Sequence, residues 1–209
     1  MDIQFYGANC LVMTNKQARL VVDDNLADLG AKTVSKNGDV AIFTGTHGAA
    51  KVEPKIVIDQ PGEYEVSGVV IHAIAARAHM DGEDVKNATI YKIVCDESRV
   101  LIAGHIYPEL SDDQLEAIGT VDVMFVPVGG HGYTIDGAGA LKLIKKIEPK
   151  IVIPTSYTTD KLNFPIPLET LEKALQALAM EPKEIVSRFK LKAIDTTNTT
   201  TQLVVLEAL

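Results

Sequence analysis

The chain has 209 residues, of which 46% are hydrophobic and 23% are charged, and its formal net charge is −8. This size suits one domain with a large core, or two half-domains that share one core. The negative charge argues against a general nucleic-acid-binding surface, and no apolar run is long enough to cross a bilayer.

Residues 1–4 lack the basic start and apolar stretch of a signal peptide, so we expect a cytoplasmic protein. Cys10 and Cys95 each lie inside an apolar, strand-like run. In a reducing compartment this placement favours buried free thiols over a disulfide.

The first half of the chain is predicted to be mostly β-structure. Runs rich in β-branched residues, separated by turn sequences, predict strands at residues 3–6, 10–13, 19–22, 40–43, 55–59, 69–75, 89–94 and 100–103. An antiparallel-rich sheet system fits this pattern. Glu63 and Glu65 would share one face of a strand, which favours a solvated edge over an acid–base pair.

The second half alternates helices and strands. Ser111 and Gln114 form a capping-box pattern that predicts a helix to Ile118. Apolar residues at helical spacing predict a second helix across 140–147 and a third across 168–178, and strands are predicted at 121–126, 151–153, 185–194 and 202–206. Two facing sheets with helices outside give an α/β fold, a four-layer αββα sandwich formed by residues 1–209 as a single domain.

Several segments resemble the metallo-β-lactamase superfamily, most closely its bacterial branch of small metal-dependent hydrolases related to L-ascorbate-6-phosphate lactonase. The resemblance rests on the order and spacing of these segments. They lie at residues 5–11, 21–26, 58–69, 111–115, 128–136 and 149–154. The resemblance implies the αββα sandwich, with related halves at roughly 1–105 and 106–209. It also implies a metal site at one edge, on loops that follow strand ends.

Most metal ligands of that superfamily are replaced in this chain. Its motif His-x-His-x-Asp-His falls on Gly45, His47, Ala49 and Ala50, so His47 alone keeps a ligand. Ala8 replaces a histidine of the outer shell.

Three further ligand positions follow along the chain. A gapless comparison puts Ala78 at the next histidine ligand, with His79 one residue later. His105 stands at the bridging aspartate, and Ser156 stands at the last histidine.

A zinc site needs three or four donors at roughly 2.0–2.3 Å. We therefore predict a non-catalytic or metal-independent member of the family, with no cofactor, whose old pocket takes a small anionic or ester ligand. The alternative is a mononuclear zinc hydrolase of a phosphodiester, lactone or related ester. Its rebuilt site would use His47, His79 and His105, with His131 or Asp23 nearby.

Other interpretations stay open. Ser156 with His105 or His47 could form a nucleophile and base, although no nucleophile-elbow sequence is present. The Gly-rich loop 129–132 is typical of a turn at the pocket rim or of an anion-binding nest. A structural role as a homo-oligomer is the third class of function. We expect His47 and His105 to lie close together, whereas the register leaves the place of His79 open.

Overall fold

The structure, a computed structural model, describes residues 1–45, 49–95, 97–191 and 200–209, and most of the chain forms strands. These are β1 (Asp2–Phe5), β2 (Leu11–Thr14), β3 (Arg19–Val22), β4 (Val40–Ile42), β5 (Ile56–Ile58), β6 (Gly62–Val66), β7 (Val69–Ala76), β8 (Ala88–Cys95), β9 (Ser98–Ile102), β10 (Val123–Pro127), β11 (Ile151–Thr155), β12 (Pro182–Val186), β13 (Phe189–Lys190) and β14 (Gln202–Leu206).

The strands form two sheets. One has six strands in the order β13-β1-β2-β3-β4-β5, and the other has eight in the order β12-β14-β11-β10-β9-β8-β7-β6. In the first sheet β1, β2 and β3 pair antiparallel, whereas β4 and β5 run parallel to β3. In the second, β6 to β9 are antiparallel and β9, β10, β11 and β14 are parallel. Parallel neighbours place several loops at one edge of each sheet.

Three α-helices are described, α1 (Asp112–Ile118), α2 (Gly137–Ile147) and α3 (Leu171–Leu178). Helix α1 contacts β7, α2 contacts β10, and α3 packs on α2. A 3₁₀ helix (Leu26–Leu29) follows β3 of the other sheet. The predicted α/β fold with two large sheets, the four-layer αββα sandwich, is confirmed. No described helix has the length and apolarity needed to cross a membrane.

Local signals explain where the helices begin. Both hydrogen bonds of the predicted capping box form, because Ser111 Oγ accepts from the Gln114 N–H and Gln114 Oε1 accepts from the Ser111 N–H. In α3 the side chain of Thr170 accepts from the Lys173 N–H, so the helix starts after Thr170. The prediction that Leu168 belongs to this helix is therefore wrong.

Two strand predictions also need correction. The single strand predicted at 185–194 is wrong, because a bend at Ser187 ends β12 and sends β13 to the other sheet. The strand β6 is absent from the strands predicted from apolar runs, although the strand and the exposed edge expected for Glu63 and Glu65 are both present. Charged residues on an edge strand discourage pairing with another chain, and they also weaken the apolar signal of the strand.

The core fills the space between the sheets. Its largest fully buried side chains include Phe5, Tyr91 and Phe125. The Tyr91 hydroxyl lies 2.8 Å from the carbonyl oxygen of Phe43 and 3.0 Å from that of Ile58, which fixes the ends of β4 and β5. Cys10 and Cys95 are both buried and are not joined in a disulfide, as predicted.

Candidate functional site

Loops at the strand ends enclose a cavity of about 530 Å³. It lies between the loops that follow β3, β4, β7 and β9 and the turn that follows β10. Its polar lining comprises Asp23, Asn25, His79, Asp81, Asn87, His105 and Tyr133. Three predicted site residues, Asp23, His79 and His105, therefore meet at one cavity.

Asp23 is the centre of a buried hydrogen-bond network. One of its carboxylate oxygens accepts from the Asn9 side-chain amide at 2.6 Å and from the Thr44 hydroxyl at 2.6 Å, and the other accepts from the Thr44 N–H at 2.7 Å. The Thr155 hydroxyl donates to Asn9 Oδ1 at 2.9 Å. Because Thr44 follows β4 and Thr155 ends β11, this network joins the two sheets at the site.

His79 and His105 lie on loops that pair with each other. The His79 N–H donates to the His105 carbonyl oxygen at 2.9 Å, and the Tyr107 N–H donates to the Arg77 carbonyl oxygen at 2.9 Å. Burial lowers the pKa of His79, the neighbouring His105 acts in the same direction, and Asp136 opposes the shift. His79 Nδ1 is buried and has no hydrogen-bond partner among the described residues.

Tyr133 closes one side of the cavity. Its ring makes edge-on contacts with His105, at a centroid distance of 5.7 Å, and with Phe164, at 5.6 Å. Burial raises the pKa of the Tyr133 phenol, the Asn25 side chain works against the shift, and the charge of Asp23 adds to it. The phenol is therefore protonated at neutral pH and can donate a hydrogen bond.

The Gly-rich loop after β10 forms a turn at the rim, as predicted. Tyr133 N–H donates to the Gly130 carbonyl oxygen at 3.1 Å, and His131 has a positive φ of 56°. His131 is exposed, and its Nε2 lies 3.0 Å from Glu169 Oε1. It faces a smaller adjoining cavity of about 180 Å³, which His79 and Asp136 also line.

Ser156 lies behind this site and does not line the cavity. It is 0% exposed and has a positive φ of 54°, and its N–H donates to the Ala8 carbonyl oxygen. Its Oγ has no hydrogen-bond partner in the described part of the chain, so no described histidine activates it. Gly129 must lack a side chain here, because a Cβ would lie 2.0 Å from the Ser156 carbonyl oxygen.

The described residues do not fit a zinc ion. Gly45 lines the cavity without a donor atom, and Ala49 and Ala50 carry none. Across the described ranges, no group of three or more His, Cys, Asp or Glu side chains could hold a metal. His47, which the rebuilt site requires, lies outside the described residues.

Sequence reasoning missed four polar residues of the lining, namely Asn25, Asp81, Asn87 and Tyr133. Asn25 and Tyr133 both face the cavity, and neither was predicted as a site residue. Each lies near a predicted site residue, since Asn25 comes two residues after Asp23 and Tyr133 two residues after His131. Asn25 and Tyr133 follow the ends of β3 and β10, and this position after a strand is the feature of the sequence that indicates a place in the site.

Comparison with known proteins agrees with the fold. The sequence profile described as Beta-lactamase superfamily domain matches residues 2–156. Proteins named UPF0173 metal-dependent hydrolase are 32% identical over 102 residues in Pyrococcus abyssi and 32% identical over 135 residues in Thermoplasma volcanium. These matches cover 47% and 61% of this chain but only 44% and 58% of the relatives.

Solved structures extend the similarity to nearly the whole chain. A protein of the metallo-beta-lactamase superfamily from Thermotoga maritima, assigned as a Zn-dependent hydrolase, has a TM-score of 0.74 and 25% identity, with 99% of this chain and 98% of that one covered. A protein assigned as a metal-dependent hydrolase from Parabacteroides distasonis has a TM-score of 0.65 at 18% identity, with 98% and 93% covered, which shows the fold alone.

Proposed function

Since the chain belongs to the metallo-β-lactamase superfamily, we propose that it is a metal-independent member that binds a small organic ligand in the cavity at the strand ends. The proposal rests on one observation, the lack of metal-donor atoms at the positions where the family has its ligands. Gly45, Ala49 and Ala50 offer no ligand atom, and Ser156 lies outside the cavity. Hydrolysis in a zinc site depends on a metal-bound water, and that water requires three protein donors on the ion.

The lining is suited to recognising a ligand with polar groups. Asn25, His105 and Tyr133 present an amide, an imidazole and a phenol to one space. Phe43, Met80 and Ala88 supply apolar wall between them. A cavity of about 530 Å³ with a few polar groups on a largely apolar wall is typical of small-molecule sites.

Of the two expected ligand classes, the lining favours an ester over an anion. None of the described residues around the cavity is Lys or Arg, whereas Asp23 and Asp81 are both there. A negatively charged ligand would therefore meet carboxylates without a compensating side-chain cation. An ester could accept hydrogen bonds from the Tyr133 phenol without that repulsion.

We propose that the protein acts in the cytoplasm, alone or as a homo-oligomer, and without nucleic acid or a membrane. Its net charge of −8 weighs against binding to polyanions and to anionic membrane surfaces.

A second candidate function is the mononuclear zinc hydrolase. Its support is that His79 and His105 line the same cavity, and that relatives are named metal-dependent hydrolases. The third ligand would be His47, and the substrate would be a phosphodiester, lactone or related ester. In that case zinc would supply a water of lowered pKa, and His79 and His105 would hold the ion.

Elemental analysis separates the two candidates. The protein, expressed in zinc-supplemented medium and dialysed against metal-free buffer, is assayed for bound metal and for ester and phosphodiester hydrolysis. The proposal expects zinc far below one ion per chain and no hydrolysis that a chelator abolishes. One zinc per chain, with chelator-sensitive hydrolysis, would establish the second candidate instead.

A further inference from the structure

Three carboxylates lie around His79 and His105, and none of them forms an ion pair with a described residue. Asp23 and Asp81 line the cavity, and Asp136 lines the smaller one that shares His79. The described ion pairs involve none of the three. The donors to Asp23 are neutral, namely the Asn9 amide and the N–H and hydroxyl of Thr44.

Among the described residues, no Lys or Arg forms an ion pair with these carboxylates. Lys and Arg are absent from the described lining of both cavities, and the exposed His131 is paired with Glu169. Arg77, close by in sequence, stacks 3.9 Å from the centre of the Tyr107 ring and donates to the Asp81 carbonyl oxygen. In a partly enclosed space, carboxylates that face no cation create a negative potential that attracts positive ligands and repels anions.

The remaining wall suits an organic cation better than a metal ion. A metal requires several converging donors, and the described residues provide no such group. Phe43 and Tyr133, by contrast, line the cavity with aromatic rings, and Met80 adds a polarizable thioether. Aromatic rings attract ammonium groups through their quadrupole, most strongly when water is excluded.

We propose that the cavity selects a small organic cation, a molecule bearing a primary or quaternary ammonium group, and disfavours an anion of the same shape. The selection rests on the proposed metal-independent function, because a zinc ion beside His79 and His105 would reverse the local charge. An ammonium-bearing ester satisfies both proposals. The selectivity comes from Asp81 and Asp23, with Phe43 and Tyr133 as the apolar contact surface.

Three probes of matched shape test this. Choline bears the positive charge on its trimethylated nitrogen, and neohexanol, which has carbon in place of that nitrogen, is neutral. The anion of tert-butylacetic acid keeps the tert-butyl group of neohexanol and bears a negative carboxylate in place of the CH2OH group. Each is titrated into the metal-free full chain, and dissociation constants are taken from NMR shifts. We expect choline to bind about tenfold more tightly than neohexanol, and no saturable binding of the anion.

Variants that each lack one carboxylate show which residue causes the preference for choline over neohexanol. Asp81→Asn keeps the shape of the side chain and should remove most of the preference for choline over neohexanol. Asp84→Asn is the matched control, since Asp84 is exposed on the same loop and does not line the cavity. It should keep the wild-type preference.

The outcomes are distinguishable from those of the metal analysis. Equal binding of choline and neohexanol, tighter binding of the anion, or no saturable binding of any probe would overturn the cation proposal. So would an unchanged choline preference in Asp81→Asn. None of these results alters the zinc content, which decides the proposed function separately.

Discussion

The His79 N–H donates a hydrogen bond of 2.9 Å to the carbonyl oxygen of His105. The loops after β7 and β9 are thus joined by their main chains, and Ala78 and Ile106 extend the pairing. Substituting either imidazole does not remove this contact. Variants of His79 and His105 can therefore report on the chemistry of the cavity without separating its walls.

Removal of the Asp23 carboxylate should destabilise the fold. Asp23→Ala leaves the Asn9 amide and two Thr44 donors without their acceptor at a buried position. We expect a loss of about 3 kcal/mol in the free energy of unfolding, measured by urea denaturation. In the control Asp28→Ala the lost contact is an exposed ion pair with Lys51, and the change should stay below about 1 kcal/mol. Equal effects of the two variants would contradict the role given to the network.

Gly129 tests how closely the β10 and β11 loops approach. A methyl group in Gly129→Ala would meet the Ser156 carbonyl oxygen, so the backbone must shift. The free energy of unfolding should fall by about 2 kcal/mol or more. Gly82→Ala is the control, because a Cβ at Gly82 has nothing within 4 Å. A Gly129→Ala protein as stable as Gly82→Ala would show that the loops are further apart.

Stability should depend on the protonation of His79. Because burial lowers its pKa, the unfolded chain binds this proton more readily than the folded protein does. The stabilising contribution of neutral His79 is complete above the ordinary pKa of about 6.5 and is lost as the pH falls through the lowered value. When the pH is lowered from about 7.5 to about 5, the free energy of unfolding should fall less in His79→Gln than in the wild type. An identical pH profile in both proteins would exclude this contribution.

The pattern of apolar residues and turns predicted most of the strands and helices, whereas the site was harder to predict. Helix α1 was predicted from Ser111 and Gln114 because capping is a local interaction. The convergence of Asp23, His79 and His105 was expected only through the resemblance, since no local signal relates residues so far apart in sequence. The short strands around Ser187 and the exposed β6 edge have too little apolar periodicity to be resolved from sequence.

A metal-coordinating side chain introduced at Gly45 should create a zinc site in the cavity. A Cβ at this position has nothing within 4 Å, and Gly45 lines the cavity together with His79 and His105. We expect Gly45→His to bind zinc at least about tenfold more tightly than the wild type, measured by competition with a chromophoric chelator. Gly45→Ala should not differ from the wild type. Tighter zinc binding by Gly45→Ala, or unchanged zinc binding by Gly45→His, would contradict the placement of these residues.

The affinity of the wild-type protein for zinc decides whether the cavity uses a metal ion. Metal-free protein is titrated with zinc against a chromophoric chelator, alongside His79→Ala and His105→Ala. We expect at most weak zinc binding and a melting temperature that a strong chelator leaves unchanged. Tight stoichiometric binding that both substitutions abolish, together with a chelator-induced fall in melting temperature, would contradict it.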